Sequence, residues 1–127
     1  MRDRVVIIAA QTALKPLLAM GVRPHIVTAL DYHEISRRFY EGLTEDDTRG
    51  VVLVAEPKAN PGIVEAWPGA VVFTGAEPLD RVLNQTQAPR EMGAVPPGAT
   101  VAHLSYSVAR YLGCDPVALV GQDLGFT

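Results

Sequence analysis

Apolar and polar positions along the chain fall into blocks that alternate between two periods. Val5-Val6-Ile7-Ile8-Ala9-Ala10 is an unbroken apolar run rich in β-branched residues. That pattern suits a strand covered on both faces, as strands of parallel sheets are. Thr12 then offers an N-cap, and residues 13–20 carry Leu14, Leu17 and Leu18 at helical spacing. Pro16 falls in the first turn, where its missing N–H costs little, and Gly21 closes the helix. Residues 26–30 read as a second strand ending at Asp31. Residues 32–43 read as a helix with Ile35, Phe39 and Leu43 on one face.

A polar turn over 44–50 precedes a third strand over 51–55, which Glu56-Pro57 stops. Pro57, Pro61 and Pro68 predict loop up to Gly69 with at most a short helix. Residues 71–74 form a fourth strand and 78–85 a short helix. Residues 87–98, with three prolines and two glycines, predict a long functional loop. The strongest helix is 100–112, where Val101, Leu104, Val108 and Leu112 make an apolar stripe before Gly113. A last buried strand is expected over 117–120. The order β-α-β-α-β-x-β-α-β implies an α/β fold with a mostly parallel sheet and helices on both faces, in a single domain over residues 1–127.

Composition narrows the classes. The 127 residues suffice for one domain that buries roughly 65–70% of its unfolded surface. Hydrophobic content of 48% against 20% charged is ordinary globular usage and argues against disorder. The net charge of −3, with scattered Arg and Lys, lacks the basic footprint of a nucleic-acid binder. The apolar runs are far shorter than the roughly 20 residues of a membrane span, and the N-terminus does not read as a signal peptide. Cys114 is the sole cysteine, so neither an internal disulfide nor a cysteine metal cluster can form. A cytoplasmic location is the expectation.

Ligands of open α/β sheets bind beyond the carboxyl ends of the strands. That rule points to Ala10-Gln11-Thr12, Asp31, Ala55-Glu56, Thr74-Gly75 and Gly121-Gln122-Asp123. An acid in the place of Asp31 accepts hydrogen bonds from ribose hydroxyls in dinucleotide-binding folds, and it also suits a helix N-cap. Gly121 permits close backbone approach, Gln122 can donate and accept, and Asp123 can act as a base. Gly98-Ala99-Thr100 opens the strongest helix, which suits either a phosphate or simple threonine capping. Thr12 opens a helix likewise. Neither GxGxxG nor GxxxxGK[ST] occurs. His25, His33 and His103 have no metal-binding spacing. Glu45-Asp46-Asp47 reads as a solvated turn, and Trp67 as a loop anchor.

Two stretches carry a family resemblance. One runs from Ile7 through Gly21-Val22-Arg23-Pro24-His25 to Asp31. The other is the helix ending in Leu112-Gly113-Cys114 followed by Val117-Ala118-Leu119-Val120-Gly121-Gln122-Asp123-Leu124. Both resemble the MptE-like and Maf (motility-associated factor) flagellin glycosyltransferase family. The resemblance implies a Rossmann-like three-layer sandwich, here expected to be partial at both ends. Family members usually begin with an earlier strand and a Gly-Pro-Ser-Leu-type loop, and they carry an acid where this chain has Gln11.

The resemblance also implies a nucleotide- or nucleotide-sugar-dependent transferase. In the bacterial branch a nonulosonic acid moves from a CMP-sugar to flagellin. In the archaeal branch diphosphate moves from ATP to 6-hydroxymethyl-dihydropterin, with Mg²⁺ on the ATP phosphates. Asp31 and Asp123 are then the candidate catalytic carboxylates, with Gln122, Gly121, Gly98, Thr100 and Thr12 binding nucleotide. The expected partners are a nucleotide or nucleotide sugar and a protein acceptor, with no nucleic acid and no membrane. A non-catalytic module that pairs with other chains or with its own copies is the rival from another class.

Overall fold

Four short parallel strands form the centre of the chain in a computed structural model, which describes residues 4–75 and 100–121. They are β1 (Ile8–Ala10), β2 (Ile26–Ala29), β3 (Val52–Ala55) and β4 (Ala70–Phe73), lying side by side in chain order. Ile8 stands opposite Ile26, Ile26 opposite Val52, and Val52 opposite Ala70, so the strands start level with one another. Their carboxyl ends therefore share one edge of the sheet.

Alternation along the strands separates two faces. Ala9, Val27, Ala29, Leu53 and Ala55 turn to one side, where α1 (Leu14–Ala19), α2 (Pro61–Ala66) and a 3₁₀ segment (Glu34–Phe39) cover them. Leu14, Tyr40, Ile63 and Trp67 fill this layer. The Trp67 indole packs edge-on to Tyr40 at 6.0 Å and donates from Nε1 to the Ala70 carbonyl at 3.0 Å, so Trp67 is the loop anchor its sequence context suggests. Ile8, Ile26, Val52 and Val54 turn to the other side and meet Leu104 and Val108 of α3 (Val101–Tyr111). The result is the three-layer α/β arrangement expected of a Rossmann-like fold.

Several elements differ from the sequence reading for identifiable reasons. The first strand is shorter: Val5 and Val6 are exposed and only Ile8–Ala10 pairs with β2. Thr12 is not an N-cap. It lies exposed within a 3₁₀ turn, Gln11–Ala13, whose flanking Ala10 has no capping side chain, and α1 starts only at Leu14. Gly21 does close α1, at φ +73°, a conformation that suits glycine.

The helix expected over 32–43 is a 3₁₀ segment. Asp31 Oδ1 accepts the His33 N–H at 2.9 Å and Oδ2 accepts the Ser36 hydroxyl, a local side-chain pattern that competes with α-helical bonding. The tighter winding turns Ser36 and Tyr40 inward and leaves Ile35 64% exposed, while Phe39 and Leu43 still pack on the core. Lys15 of α1 clamps the end of this segment, donating to the carbonyls of Arg38 and Glu41 at 2.8 Å each.

Residues 117–120 form no strand in this structure, and Leu119 and Val120 are 64% and 88% exposed. Leu112, expected in the buried stripe of α3, is likewise exposed. The helix expected over 78–85 and the loop over 87–98 lie outside the described residues.

Candidate functional site

The carboxyl edge of the sheet collects Gln11 after β1, Asp31 just beyond β2, Glu56 after β3 and Thr74 after β4. Backbone bonds tie these exits together. Glu56 N–H donates to the Ala29 carbonyl at 2.9 Å, and Thr74 N–H donates to the Ala55 carbonyl at 3.0 Å. Asn60 N–H donates to the Asp31 carbonyl at 2.9 Å, while the Asn60 side chain caps α2 through Gly62 N–H at 2.9 Å and holds the Tyr32 carbonyl at 3.1 Å. The backbone around Asp31 is thus fixed from the β3–α2 connection as well as from its own strand.

Asp31 heads a directional line of hydrogen bonds that begins in the core. The Tyr40 hydroxyl donates to Gln11 Oε1 at 3.4 Å, Gln11 Nε2 donates to Ser36 Oγ at 3.5 Å, and Ser36 donates to Asp31 Oδ2. Gln11, Ser36 and Tyr40 are all buried, and the carboxylate is half-buried at the surface end of the line. The Ser36 hydroxyl and the His33 N–H hold the Asp31 carboxyl below the usual carboxylate range. Burial, reinforced by the charge of Asp31, pushes the Tyr40 phenol far above its ordinary value, so it stays a donor. Asp31 is therefore a preorganised anion with lone pairs left to accept from a ligand.

Tyr32 lies next to this carboxylate, 66% exposed, with its ring 4.1 Å from the tilted ring of His33. Glu56 is mostly buried and paired with Lys58 at 3.0 Å. Among the described residues no three His, Cys, Asp or Glu side chains gather as a metal cage. Asp46 and Asp47 are occupied locally, Asp46 by Arg49 at 3.0 Å and Asp47 by Thr44 N–H at 2.8 Å, in keeping with a solvated turn. His25 serves the backbone: its Nδ1 accepts the Ile7 N–H at 3.0 Å.

On the opposite face, Thr28 of β2 and Ser105 of α3 share a hydrogen bond of 2.6 Å, and Gly113 at the far end of α3 shares a cavity with Val5 and Val6 ahead of β1. The helix thus runs back against the strands, with Thr100 at the carboxyl edge. There Thr100 Oγ1 accepts the His103 N–H at 3.3 Å and caps α3. Gly121 is described, at φ +71°, whereas Gly98, Gln122 and Asp123 lie outside the described residues.

The structure therefore brings Gln11 and Asp31 together, leaves Thr12 exposed beside them, and adds Ser36 and Tyr40, which the sequence reading did not single out. An Asp with a non-proline residue two positions on, as Asp31 with His33, is an Asx-turn signal that could have flagged the tight segment. A serine amid Ile35 and Arg37 gives no such signal.

Sequence comparison at the level of families matches 6-hydroxymethylpterin diphosphokinase MptE-like over residues 1–127, the whole chain. The chain belongs to the MptE-like family. No curated protein matches it, and no solved structure does. Membership supports a transferase-like or kinase-like domain, in agreement with the parallel α/β sheet. No helix among the described residues is long and apolar enough to cross a membrane.

Proposed function

We propose that this MptE-like chain is a nucleotide-dependent transferase domain that anchors its donor nucleotide on Asp31. The observation that carries the reading is the buried line Tyr40–Gln11–Ser36, which ends on a carboxylate at the ligand-binding edge of a parallel sheet. A carboxyl held below its usual range is a weak proton acceptor in catalysis, yet it stays ionised and so can accept charge-assisted hydrogen bonds from hydroxyls. Asp31 therefore suits the ribose hydroxyls of a nucleotide better than proton abstraction. Exposed Tyr32 offers an adjacent ring face for a base. The phosphate side is assigned to Thr100 at the N-terminus of α3, while roles for Gly98, Gln122 and Asp123, which lie outside the described residues, and for Gly121 rest on the family resemblance.

The family description favours ATP as donor and a hydroxymethylpterin as acceptor. In that reaction the acceptor hydroxyl attacks the β-phosphorus, the bond from that phosphorus to the α–β bridging oxygen breaks, and AMP leaves. Mg²⁺ would ride mainly on the ATP phosphates, and among the described residues the edge offers single carboxylates such as Asp31. The same ribose anchor would serve a CMP-sugar. The signature Gly113-Cys114 through Gly121-Gln122-Asp123-Leu124, shared in resemblance with Maf flagellin glycosyltransferases, favours that second reading.

The test is a paired turnover assay. The chain is incubated with ATP, Mg²⁺ and 6-hydroxymethyl-dihydropterin and followed by phosphorus NMR, and separately with a CMP-nonulosonic acid and flagellin and followed by CMP release. AMP formation that depends on the pterin supports the first reading, and CMP release that depends on flagellin the second. Silence in both, with no nucleotide binding, would leave a non-catalytic interaction module as the better account.

A further inference from the structure

We infer that Lys58 is the cation that binds the phosphate of the nucleotide held by Asp31, and that Glu56 is the residue that positions its ammonium. The inference rests on the reading of Asp31 as the nucleotide anchor. Placement comes first. β2 and β3 pair in register up to Ala29 opposite Ala55, and the Glu56 N–H extends the ladder by donating to the Ala29 carbonyl at 2.9 Å. Glu56 therefore leaves the sheet one residue out of step with Asp31, on a neighbouring strand roughly 4.8 Å away. Alternation sends the two side chains to opposite faces. Asp31 meets Ser36 on the side of the 3₁₀ segment. Leu30 and Val54 pack with Leu104 on the side of α3, and Glu56, two residues after Val54, follows them there. Thr100, which caps α3, marks the same side. A nucleotide with its ribose on Asp31 and its phosphate toward α3 crosses the edge beside Glu56 and Lys58.

The turn that carries Lys58 is held firmly. The Ala59 N–H donates to the Glu56 carbonyl at 2.8 Å, which closes a tight turn with Pro57 and Lys58 at its two central positions. Pro57 fixes its own φ there. Ala59 is buried, and Asn60 ties the end of the turn to the Asp31 carbonyl at 2.9 Å and to the Tyr32 carbonyl at 3.1 Å. The backbone beneath Lys58 is thus locked to the backbone that carries Asp31, and the freedom left is that of the lysine side chain.

Charge singles out the residue. Among the described residues, Lys58 is the one lysine or arginine in the segments that leave the carboxyl ends of the strands, 11–13, 30–33, 56–60 and 74–75. Lys15 is occupied by the carbonyls of Arg38 and Glu41, and Arg37 pairs with Glu41 at 3.4 Å. The Lys58 ammonium lies 3.0 Å from Glu56 Oε2, with the glutamate side chain 14% exposed and the lysine side chain 52% exposed. An ammonium has three donors, and one bond to Glu56 leaves two. The mostly buried carboxylate therefore orients the ammonium without exhausting it, and the solvent side of the cation stays open to phosphate oxygens.

NMR titration of the wild type, Lys58→Met, Lys58→Arg and Asp31→Asn with ATP and CMP, and with adenosine and cytidine, tests it. Mg²⁺ is left out so that the phosphate charge is unshielded. Lys58→Met should bind the nucleotide about tenfold or more weakly than the wild type and bind the matching nucleoside equally well. Lys58→Arg keeps the charge and should retain most of the nucleotide affinity, which separates loss of the cation from damage to the fold. Asp31→Asn should weaken nucleotide and nucleoside alike. Equal nucleotide affinity in Lys58→Met and the wild type, with Asp31→Asn weakened, would overturn the role of Lys58 and leave the Asp31 anchor standing. A loss in Lys58→Met that extends equally to the nucleoside would also overturn it, because the lysine would then not be reading phosphate. No nucleotide binding by the wild type would overturn both.

Discussion

The Ser36 hydroxyl donates to Asp31 Oδ2 from five residues further along the chain, and the Asp31 main chain accepts Asn60 N–H at 2.9 Å. One residue is thereby fixed through its side chain by the 3₁₀ segment and through its backbone by α2. The carboxylate at the edge of the sheet is held before any ligand arrives.

Replacing Ser36 with alanine removes the charged hydrogen bond and leaves Gln11 Nε2 without its acceptor. The expected loss of stability is about 1–3 kcal/mol by urea unfolding. The Asp31 carboxyl should titrate higher in the variant when followed by carbon-detected NMR. The sign follows from the depressed folded-state value. The contribution of Asp31 to stability is present above the unfolded value of 3.8 and fades as pH falls through the lower folded value. Acid unfolding below about pH 4 should therefore be less steep in Ser36→Ala than in the wild type.

Asp31→Asn keeps the shape but has one acceptor oxygen where the carboxylate uses two, so it can accept from the His33 N–H or the Ser36 hydroxyl and not from both; the fold should survive with a lowered Tm. Nucleotide affinity should fall by about tenfold or more with the loss of a charge-assisted contact. Tyr32→Ala should weaken binding by about 1–3 kcal/mol through lost base stacking, again with an intact fold because the ring is exposed. Calorimetric titration of both variants checks these outcomes.

Thr28 and Ser105 tie β2 to α3 through a 2.6 Å bond, and Ser105 also donates within its own helix to the Val101 carbonyl at 3.0 Å. A double-mutant cycle with Thr28→Val and Ser105→Ala should give a coupling energy of about 0.5–1.5 kcal/mol. A coupling of zero would mean that α3 is held by Leu104 and Val108 alone.

Gly69 is a close-approach position. A Cβ there would stand 3.0 Å from Trp67 Nε1 and 3.1 Å from the Thr48 side chain. Gly69→Ala should displace the indole from the Ala70 carbonyl and lower stability by about 1–3 kcal/mol, with a change in tryptophan fluorescence.

The inner strands were legible in the sequence because they are covered on both faces and so appear as continuous apolar runs, Val52 to Ala55 being the clearest, whereas β4 reads as the same kind of run although Val72 and Phe73 are exposed. Their order was not legible, since apolar runs carry no record of their neighbours. The site was half legible. Asp31 followed from the rule that ligands meet strand ends, whereas Ser36 and Tyr40 depend on a 3₁₀ winding that the Ile35–Phe39–Leu43 pattern conceals. That pattern fits an α-helix, whereas the bonds that His33 N–H and the Ser36 hydroxyl donate to Asp31 compete with α-helical winding. Residues 117–120 read as a strand from their composition, yet the structure shows the apolar segment without its pairing, so composition and register part company there.

The most direct test is a thermal-shift titration of the wild type and of Asp31→Asn with ATP and with CMP, each with and without Mg²⁺. Binding to the native state raises Tm by linkage, by about 5 °C or more when the nucleotide is near a hundred times its Kd. The account predicts such a rise for at least one nucleotide in the wild type and a much smaller one in Asp31→Asn. Equal rises in the two proteins, or none in either, would contradict the assignment of Asp31 as the nucleotide anchor.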